Sequence, residues 1–309
     1  MSGQVFSYKA IKGLRTSQII HNGTNSIIFT ANILSFTPNP KDLRYFFHIG
    51  FDGHQYRGWQ RQAQVNSVQQ VVETVLSEML KEHVTVMGCG RTDAQVHASQ
   101  FFFHLDVRNT WDYDLVFRLN KMLPDDIAIY EIIPVEENQH ARFDAIQRRY
   151  DYFIHTYKDP HLNRISTWYP EKNLNLDLMK KAVDLLTKYN DFRAFCKSPD
   201  TYLHTICKVT SATLFADASG DRIRFQISAD RFLGRMIRLI VGKLIKLGKG
   251  ELSLDEFESY LITRQPPVIL EVAHPQGLFL SKVTYPYLDI PTRTALTTMG
   301  DPEDRWQLV

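Results

Sequence analysis

Four segments carry residue types that packing alone does not require. The first is Gly88-Cys89-Gly90-Arg91-Thr92-Asp93-Ala94-Gln95-Val96-His97-Ala98, set between two β-rich runs. Its glycines suit a backbone that approaches a ligand closely, and Asp93 beside Arg91 offers a carboxylate with a neighbouring cation. A carboxylate so placed can act as nucleophile or general base. The same composition also fits an Asx turn with a solvated ion pair. Asp93 and His97 stand at i and i+4 and are metal-ligand types, but no further ligand set lies near them in sequence, which argues against a metal centre.

The second segment is basic. Between Asp221 and Gly250 eight Lys and Arg residues stand against two Asp. At helical spacing Arg231, Arg235, Arg238, Lys246 and Lys249 fall on one side of a helix expected over Arg231–Leu247, a stripe suited to tracking phosphates or to facing solvent. Gly242 in its midst marks a close approach, of a ligand or of the chain itself. The third segment, His140-Ala141-Arg142-Phe143-Asp144-Ala145 followed by Arg148-Arg149-Tyr150-Asp151-Tyr152, interleaves cations with aromatics. That pattern suits base stacking with phosphate contacts, and equally an edge strand with alternating faces. The fourth, Asp52–Gln62, is a polar aromatic loop with Arg57, in which Tyr56 and Trp59 read as rim packing.

Other chemistries lose their usual support. The chain has no GxGxxG, no GxxxxGK[ST], no GxSxG and no HExxH. Its three cysteines, without CxxC spacing, favour a reducing compartment over a disulfide framework or zinc ribbon. With 36 basic and 34 acidic residues the net charge is +2, so basic function must be local. No apolar run approaches the length of a membrane span, and a soluble intracellular protein is expected. What remains is a carboxylate on a loop, arginines that favour its ionised form, aromatics to sandwich a planar ring, and a basic groove. That inventory fits cofactor-free chemistry on a nucleobase within RNA.

The elements needed to position these residues follow a repeating order. Leu43–Phe51 reads as a strand. Ser67–Lys81 is the strongest helix, with Val68, Val71, Val72, Val75, Leu76, Met79 and Leu80 on one face and Ser67 with Gln70 as a capping box. Val84–Met87 and Gln100–Val107 read as strands, Asp112–Leu123 as a helix and Ile127–Ile133 as a strand. The second half repeats the pattern: strand Arg148–Tyr157, helix Leu176–Tyr189, strands Ile206–Phe215 and Arg222–Ser228, helices Arg231–Leu247 and Leu254–Ile262, and strand Leu278–Tyr285. The fold expected is α+β, two ferredoxin-like β-α-β-β-α-β halves whose antiparallel sheets join around a central RNA-binding cleft. Residues 1–42, with no acidic residue before Pro40, form an N-terminal extension expected to be disordered. Residues 43–147 form a catalytic half, 148–288 a second half with the basic helix, and 289–309 a C-terminal tail.

The stretch GCGRTDAQVHASQ resembles the GRTDAGVHA motif of the tRNA pseudouridine synthase A family. HARFDAIQRRYDY is similar to its HARFxAxxRxYxY segment, FLGRMIRLIVGKLI to its FLxxxVRxxVGxLL helix, and AHPQGLFL to its AxPxGLxL strand. The similarity runs from Arg44 to about Tyr287, with four motifs in order. It implies an isomerase that converts uridine to pseudouridine in the anticodon arm of tRNA, without cofactor or metal, as a cytoplasmic homodimer. By position it makes Asp93 the catalytic aspartate, Tyr150 the active-site tyrosine and Arg238 the arginine paired with the aspartate. Arg57, Arg91, His97, Arg142, Arg149, Arg231, Arg235 and Lys246 become the candidates for holding RNA. Departures stand at Gln95, where the motif has glycine, at Gly234–Ile237, and at Leu239. They leave open a synthase acting on other RNA positions and an inactive RNA-binding or chaperone paralogue.

Overall fold

The computed structural model describes residues 43–267 and 269–292, together with the backbone of Gln307–Leu308. The expected N-terminal extension and most of the expected C-terminal tail lie outside the described residues. The architecture below belongs to the compact unit that begins at Pro40.

β1 (Leu43–Phe51) forms where expected and is buried from Phe46 onward. It pairs antiparallel with β3 (His97–Val107) on one side and β4 (Ile127–Val135) on the other. α1 (Val68–Leu80) starts where Ser67 Oγ accepts the Gln70 amide and stops at Lys81, which is left-handed. Its Glu73 is buried and accepts from the Val86 amide at 3.1 Å, while Ser77 Oγ accepts from the Val84 amide at 3.0 Å. Those amides therefore bond to a helix and not to a strand. The strand expected at Val84–Met87 shrinks to β2 (Met87–Gly88) for that reason. α2 (Leu115–Met122) begins three residues later than expected, because Asp114 rather than an earlier residue caps it by accepting from the Phe117 amide.

The second half places β5 (Gln147–His155), β6 (Thr167–Trp168), α3 (Leu176–Leu185), β7 (Val209–Ala216), β8 (Arg222–Ala229), α4 (Met236–Gly248), α5 (Leu254–Thr263) and β9 (Leu278–Thr284). β10 (Gln307–Leu308) pairs with β7. The short strands β6 and β10 carry no periodic signal and were not expected from the sequence. All strands join in one open sheet, in the order β10-β7-β8-β5-β9-β3-β1-β4, with β2 on β3 and β6 on β5. Within each half the order is last, first, third, second. The sheet is mixed and not purely antiparallel: β9 runs parallel to β3 through His97–Phe279 and Ala98–Leu280. Because β2 covers only His104 and Phe103 on that edge of β3, the first residues of β3 are free to take β9.

Two cores back this sheet. One packs Val68, Val72, Leu76, Leu115 and Leu119 onto Phe47, Ile49, Phe101 and Phe103. The other packs Met179, Val183, Ile240 and Leu244 onto Phe225 and Ile227. Each fully buried side chain of this size contributes about 1.5–3 kcal/mol. Leu280, Val283 and Tyr285 belong to the first core although they follow β-α-β-β-α in the second half, so the seam is packed from both sides.

The helix expected over Arg231–Leu247 begins only at Met236. Arg235 is left-handed (φ 63°), the Gly234 amide donates to Tyr202 Oη at 2.9 Å, and the Lys197 amide donates to the Gly234 carbonyl. The chain is thus held out of helix by contacts from a loop some thirty residues away. The continuous basic stripe breaks accordingly. Gly242 lies on α4 where a Cβ would stand 2.4 Å from the Glu271 carbonyl oxygen, so the close approach is that of the chain's own backbone. Among the described residues no helix is long and apolar enough to cross a membrane.

Candidate active site

The loop that joins β2 to β3 is fixed from beneath by Asp52–Gln62. The Trp59 amide donates to Thr92 Oγ1 at 3.1 Å, and the Gln95 amide donates to the Tyr56 carbonyl at 3.0 Å. Gly58, at φ +92°, leaves room for the Thr92 carbonyl, which a Cβ there would meet at 2.3 Å. Tyr56 and Trp59 sit deeper than rim packing: both are buried, and Tyr56 Oη donates to Asp126 at 2.6 Å. Gln95 takes the left-handed backbone (φ 64°) that the motif's glycine would take without strain.

This scaffold holds Asp93 over the first turn of α4. Arg238 Nη1 lies 3.2 Å from Asp93 Oδ2, and Arg238 Nε donates to the Ala273 carbonyl at 2.7 Å. The Ala273 amide returns a bond to the Arg238 carbonyl, so the arginine is anchored at both ends. Asp93 keeps 37% of its side-chain surface exposed against 12% for Arg238. The carboxylate thus has one edge held and one edge free.

Tyr150, from β5, meets Phe232 edge-on with ring centroids 5.1 Å apart. Burial pushes its phenol above the ordinary tyrosine range, the nearby Cys89 and Asp93 add to that, and Arg148 opposes it. A phenol held protonated at neutral pH suits stacking and hydrogen-bond donation better than accepting a proton.

These groups line one cavity of about 660 Å³, within the range of small-ligand sites. Arg91, Arg142, Arg231, Arg235 and Arg238 all reach it, as do Asp93, Tyr150 and Phe232. The first three sequence segments therefore converge. Four candidates do not line it: Arg57, His97, Arg149 and Lys246. His97 is buried, accepts the Gly53 amide at 3.1 Å, stacks on Phe279 at 4.4 Å and lies 3.1 Å from the Asp52 carboxylate. It ties the supporting loop to the seam strand. Lys246 Nζ pairs with Glu271 at 2.6 Å, and Lys249 pairs with Glu171, so the helical part of the stripe is largely neutralised. Among the described residues no group of three or more His, Cys, Asp or Glu is placed to hold a metal ion.

Arg148 stands at the second arginine of the HARFxAxxRxYxY pattern and is not among the sequence candidates for holding RNA. It donates to four carbonyls, those of Cys89 (2.7 Å), Arg142 (2.9 Å), Ala145 (3.1 Å) and Asp230 (3.1 Å), and so ties three of the segments together beneath the cavity. The motif carries the signal and strand alternation agrees with it: residues 148 and 150 share a face, and both line the cavity. Tyr202, whose Oη holds Gly234, lines the same cavity and has no local sequence signal.

Comparison with known proteins bears on this arrangement. A family model described as tRNA pseudouridine synthase matches residues 185–286. A tRNA pseudouridine synthase A of Azobacteroides pseudotrichonymphae is 39% identical over 244 residues, covering 79% of this chain and 97% of the relative. Proteins of the same name from Porphyromonas gingivalis and Parabacteroides distasonis are each 38% identical, over 79% of this chain and 97% and 96% of their own lengths.

Proposed function

The chain belongs to the tRNA pseudouridine synthase A family, and from that premise we propose that it isomerises uridine to pseudouridine in the anticodon arm of tRNA, with Asp93 as the catalytic residue. The observation that carries this reading is the single cavity in which Asp93, braced by Arg238, faces Tyr150 beneath a rim of arginines. A flipped uridine would place its sugar against the free edge of Asp93 and its base against Tyr150. The N1–C1′ bond breaks, the uracil turns in the pocket, and C5 bonds to C1′. C5 then gives up its proton and N1 takes one, so the product has the formula of the substrate. Asp93 serves this either by attacking C1′ or by removing a sugar proton to give a glycal. Arg238 holds the carboxylate in line, and Arg91, Arg142, Arg231 and Arg235 take the flanking phosphates. No step draws on a cofactor.

The wider reading is a duplicated ferredoxin-like fold, residues 43–147 and 148–288, whose halves meet at the β9–β3 seam. Its support is the common strand order of the two halves. A cytoplasmic homodimer completes the proposal and rests on the family resemblance. Pseudouridine mapping of tRNA transcripts treated with the purified protein tests the target. New pseudouridine confined to the anticodon arm supports the reading, and modification elsewhere alone would refute it.

A further inference from the structure

The loop from Lys197 to Thr205 grips the chain just ahead of α4. Its own frame is fixed: the Phe192 amide donates to the Thr205 carbonyl at 3.1 Å, Thr205 Oγ1 donates to Asp191 at 2.5 Å, and Arg193 pairs with Asp200. The Tyr202 amide closes a turn on the Pro199 carbonyl at 3.1 Å. From this frame Tyr202 Oη accepts the Gly234 amide at 2.9 Å, and the Lys197 amide donates to the Gly234 carbonyl at 3.4 Å. Both backbone polar groups of Gly234 are therefore held by the loop. Arg231 lies over the Tyr202 ring, 5.9 Å from its centroid, with its Nη1 3.4 Å from His204 Nε2. Tyr202, Arg231, Gly234 and Arg235 all line the cavity that contains Asp93.

Residues 231–235 have no local reason to stay out of helix. Phe232, Leu233, Met236, Ile237 and Ile240 keep the helical apolar period, and a helix continued back to Arg231 would set Arg231, Arg235 and Arg238 in one row. Arg235 instead takes the left-handed backbone at φ 63°, a strained state for a residue with a Cβ, which persists only where its surroundings hold it. The two bonds to Gly234 are that hold. Because the chain turns at Arg235, Arg231 and Arg235 reach the cavity from a loop and Arg238 reaches it from the helix. Cations placed this way before RNA arrives lose less freedom on binding it. We propose that Tyr202 is a positioning residue for RNA: by fixing Gly234 and carrying Arg231 on its ring, it keeps residues 231–235 unwound and sets Arg231 and Arg235 where they meet phosphates of the bound strand. This rests on the proposed synthase function and adds a residue that acts through the arginines and not on the reacting atoms. Arg238 does not depend on it, because Ala273 anchors that arginine at both ends.

The test uses the full-length protein and tRNA over a range of salt concentrations. Tyr202→Phe keeps the ring and removes only the acceptor of the Gly234 amide. It should weaken tRNA binding about 10-fold and lower the slope of log K against log salt by about 1, the share of one phosphate contact. The single-turnover rate at saturating tRNA should stay within about threefold of wild type, since a lost phosphate contact acts on binding and not on the bound reaction. Gly234→Ala loosens the same contact from the other side: its Cβ would stand 3.1 Å from Tyr202 Oη, and alanine favours helix where glycine does not. Affinity and slope should shift in the same direction. In a double-mutant cycle, Tyr202→Phe combined with Arg231→Gln should lose less affinity than the product of the two single losses. A salt slope unchanged in both Tyr202→Phe and Gly234→Ala, single losses that multiply in the cycle, or a lower saturated rate at unchanged affinity would overturn the proposal. Wild-type protein that binds tRNA but forms no pseudouridine on any tRNA would overturn the synthase reading, and the affinity measurements would still decide what Tyr202 does.

Discussion

Arg238→Lys separates the charge beside Asp93 from the geometry that delivers it. In the wild type one guanidinium makes two contacts, Nη1 to Asp93 at 3.2 Å and Nε to the Ala273 carbonyl at 2.7 Å. A lysine ammonium is a single point and cannot occupy both places. At an effective dielectric constant of about 20 the bare pair is worth about 4 kcal/mol. Asp93 is more than a third exposed, so the net value falls to about 1 kcal/mol, most of which a lysine preserves. The larger loss is the buried Ala273 carbonyl, about 1–2 kcal/mol for a charged donor removed. Without that anchor the carboxylate is no longer held in line, and a misplacement of about 1 Å costs about 100-fold in rate. Single-turnover tritium release from C5-labelled tRNA should therefore show a rate lower by about 100-fold. The filter-binding Kd should stay within about threefold, and Tm should drop by about 4 °C. A wild-type rate in Arg238→Lys would show that charge alone suffices. Loss of affinity at an unchanged rate would move Arg238 from the carboxylate to the phosphates.

Gln95→Gly should stabilise the protein by about 0.5–1 kcal/mol in thermal melts, because it removes left-handed strain at φ 64° and gives back part of that gain in chain entropy, with activity unchanged. Gly242→Ala should destabilise by about 1–3 kcal/mol, since its Cβ would press on the Glu271 carbonyl, and should also slow turnover by displacing the Ala273 anchor of Arg238. Burial, with Arg44 and His140 adding to it, lowers His104 to about 4, while the unfolded chain titrates near 6.5. Its contribution is therefore whole above about pH 6.5 and is lost as pH falls toward 4; urea melts across that range should show the loss, and His104→Asn should flatten it.

The parts of the fold legible from the sequence are those decided locally. β1 and α1 fall where a continuous β-rich run and a capped 3.6-residue period place them, and Ser67 and Lys81 mark the helix ends within one residue. Long-range contacts decide the rest. Arg231–Arg235 has the apolar period of a helix, but Tyr202 and Lys197 take the Gly234 peptide groups that a helix would use. Val84 and Val86 have the composition of a strand, but side chains of α1 satisfy their amides. The same division holds at the site. Asp93, Tyr150 and Arg238 are readable because motifs carry them. Lys246 reads as an open cation until folding brings Glu271, twenty-five residues on, to its ammonium. Arg148 stands at the second arginine of the HARFxAxxRxYxY pattern, but only its four carbonyl partners show what it does.

The most direct test of Asp93 as the catalytic group is Asp93→Asn in single-turnover tritium release from C5-labelled uridine in tRNA, run beside a binding curve for the same variant. Asparagine nearly matches the shape of aspartate but is neither a useful nucleophile nor a useful base. It also removes a negative charge from an arginine-lined cavity, so RNA affinity should hold or rise. With Asp93 as the catalytic group, the variant releases no tritium above background and binds tRNA at least as tightly as the wild type. Turnover by Asp93→Asn at the wild-type rate would contradict it.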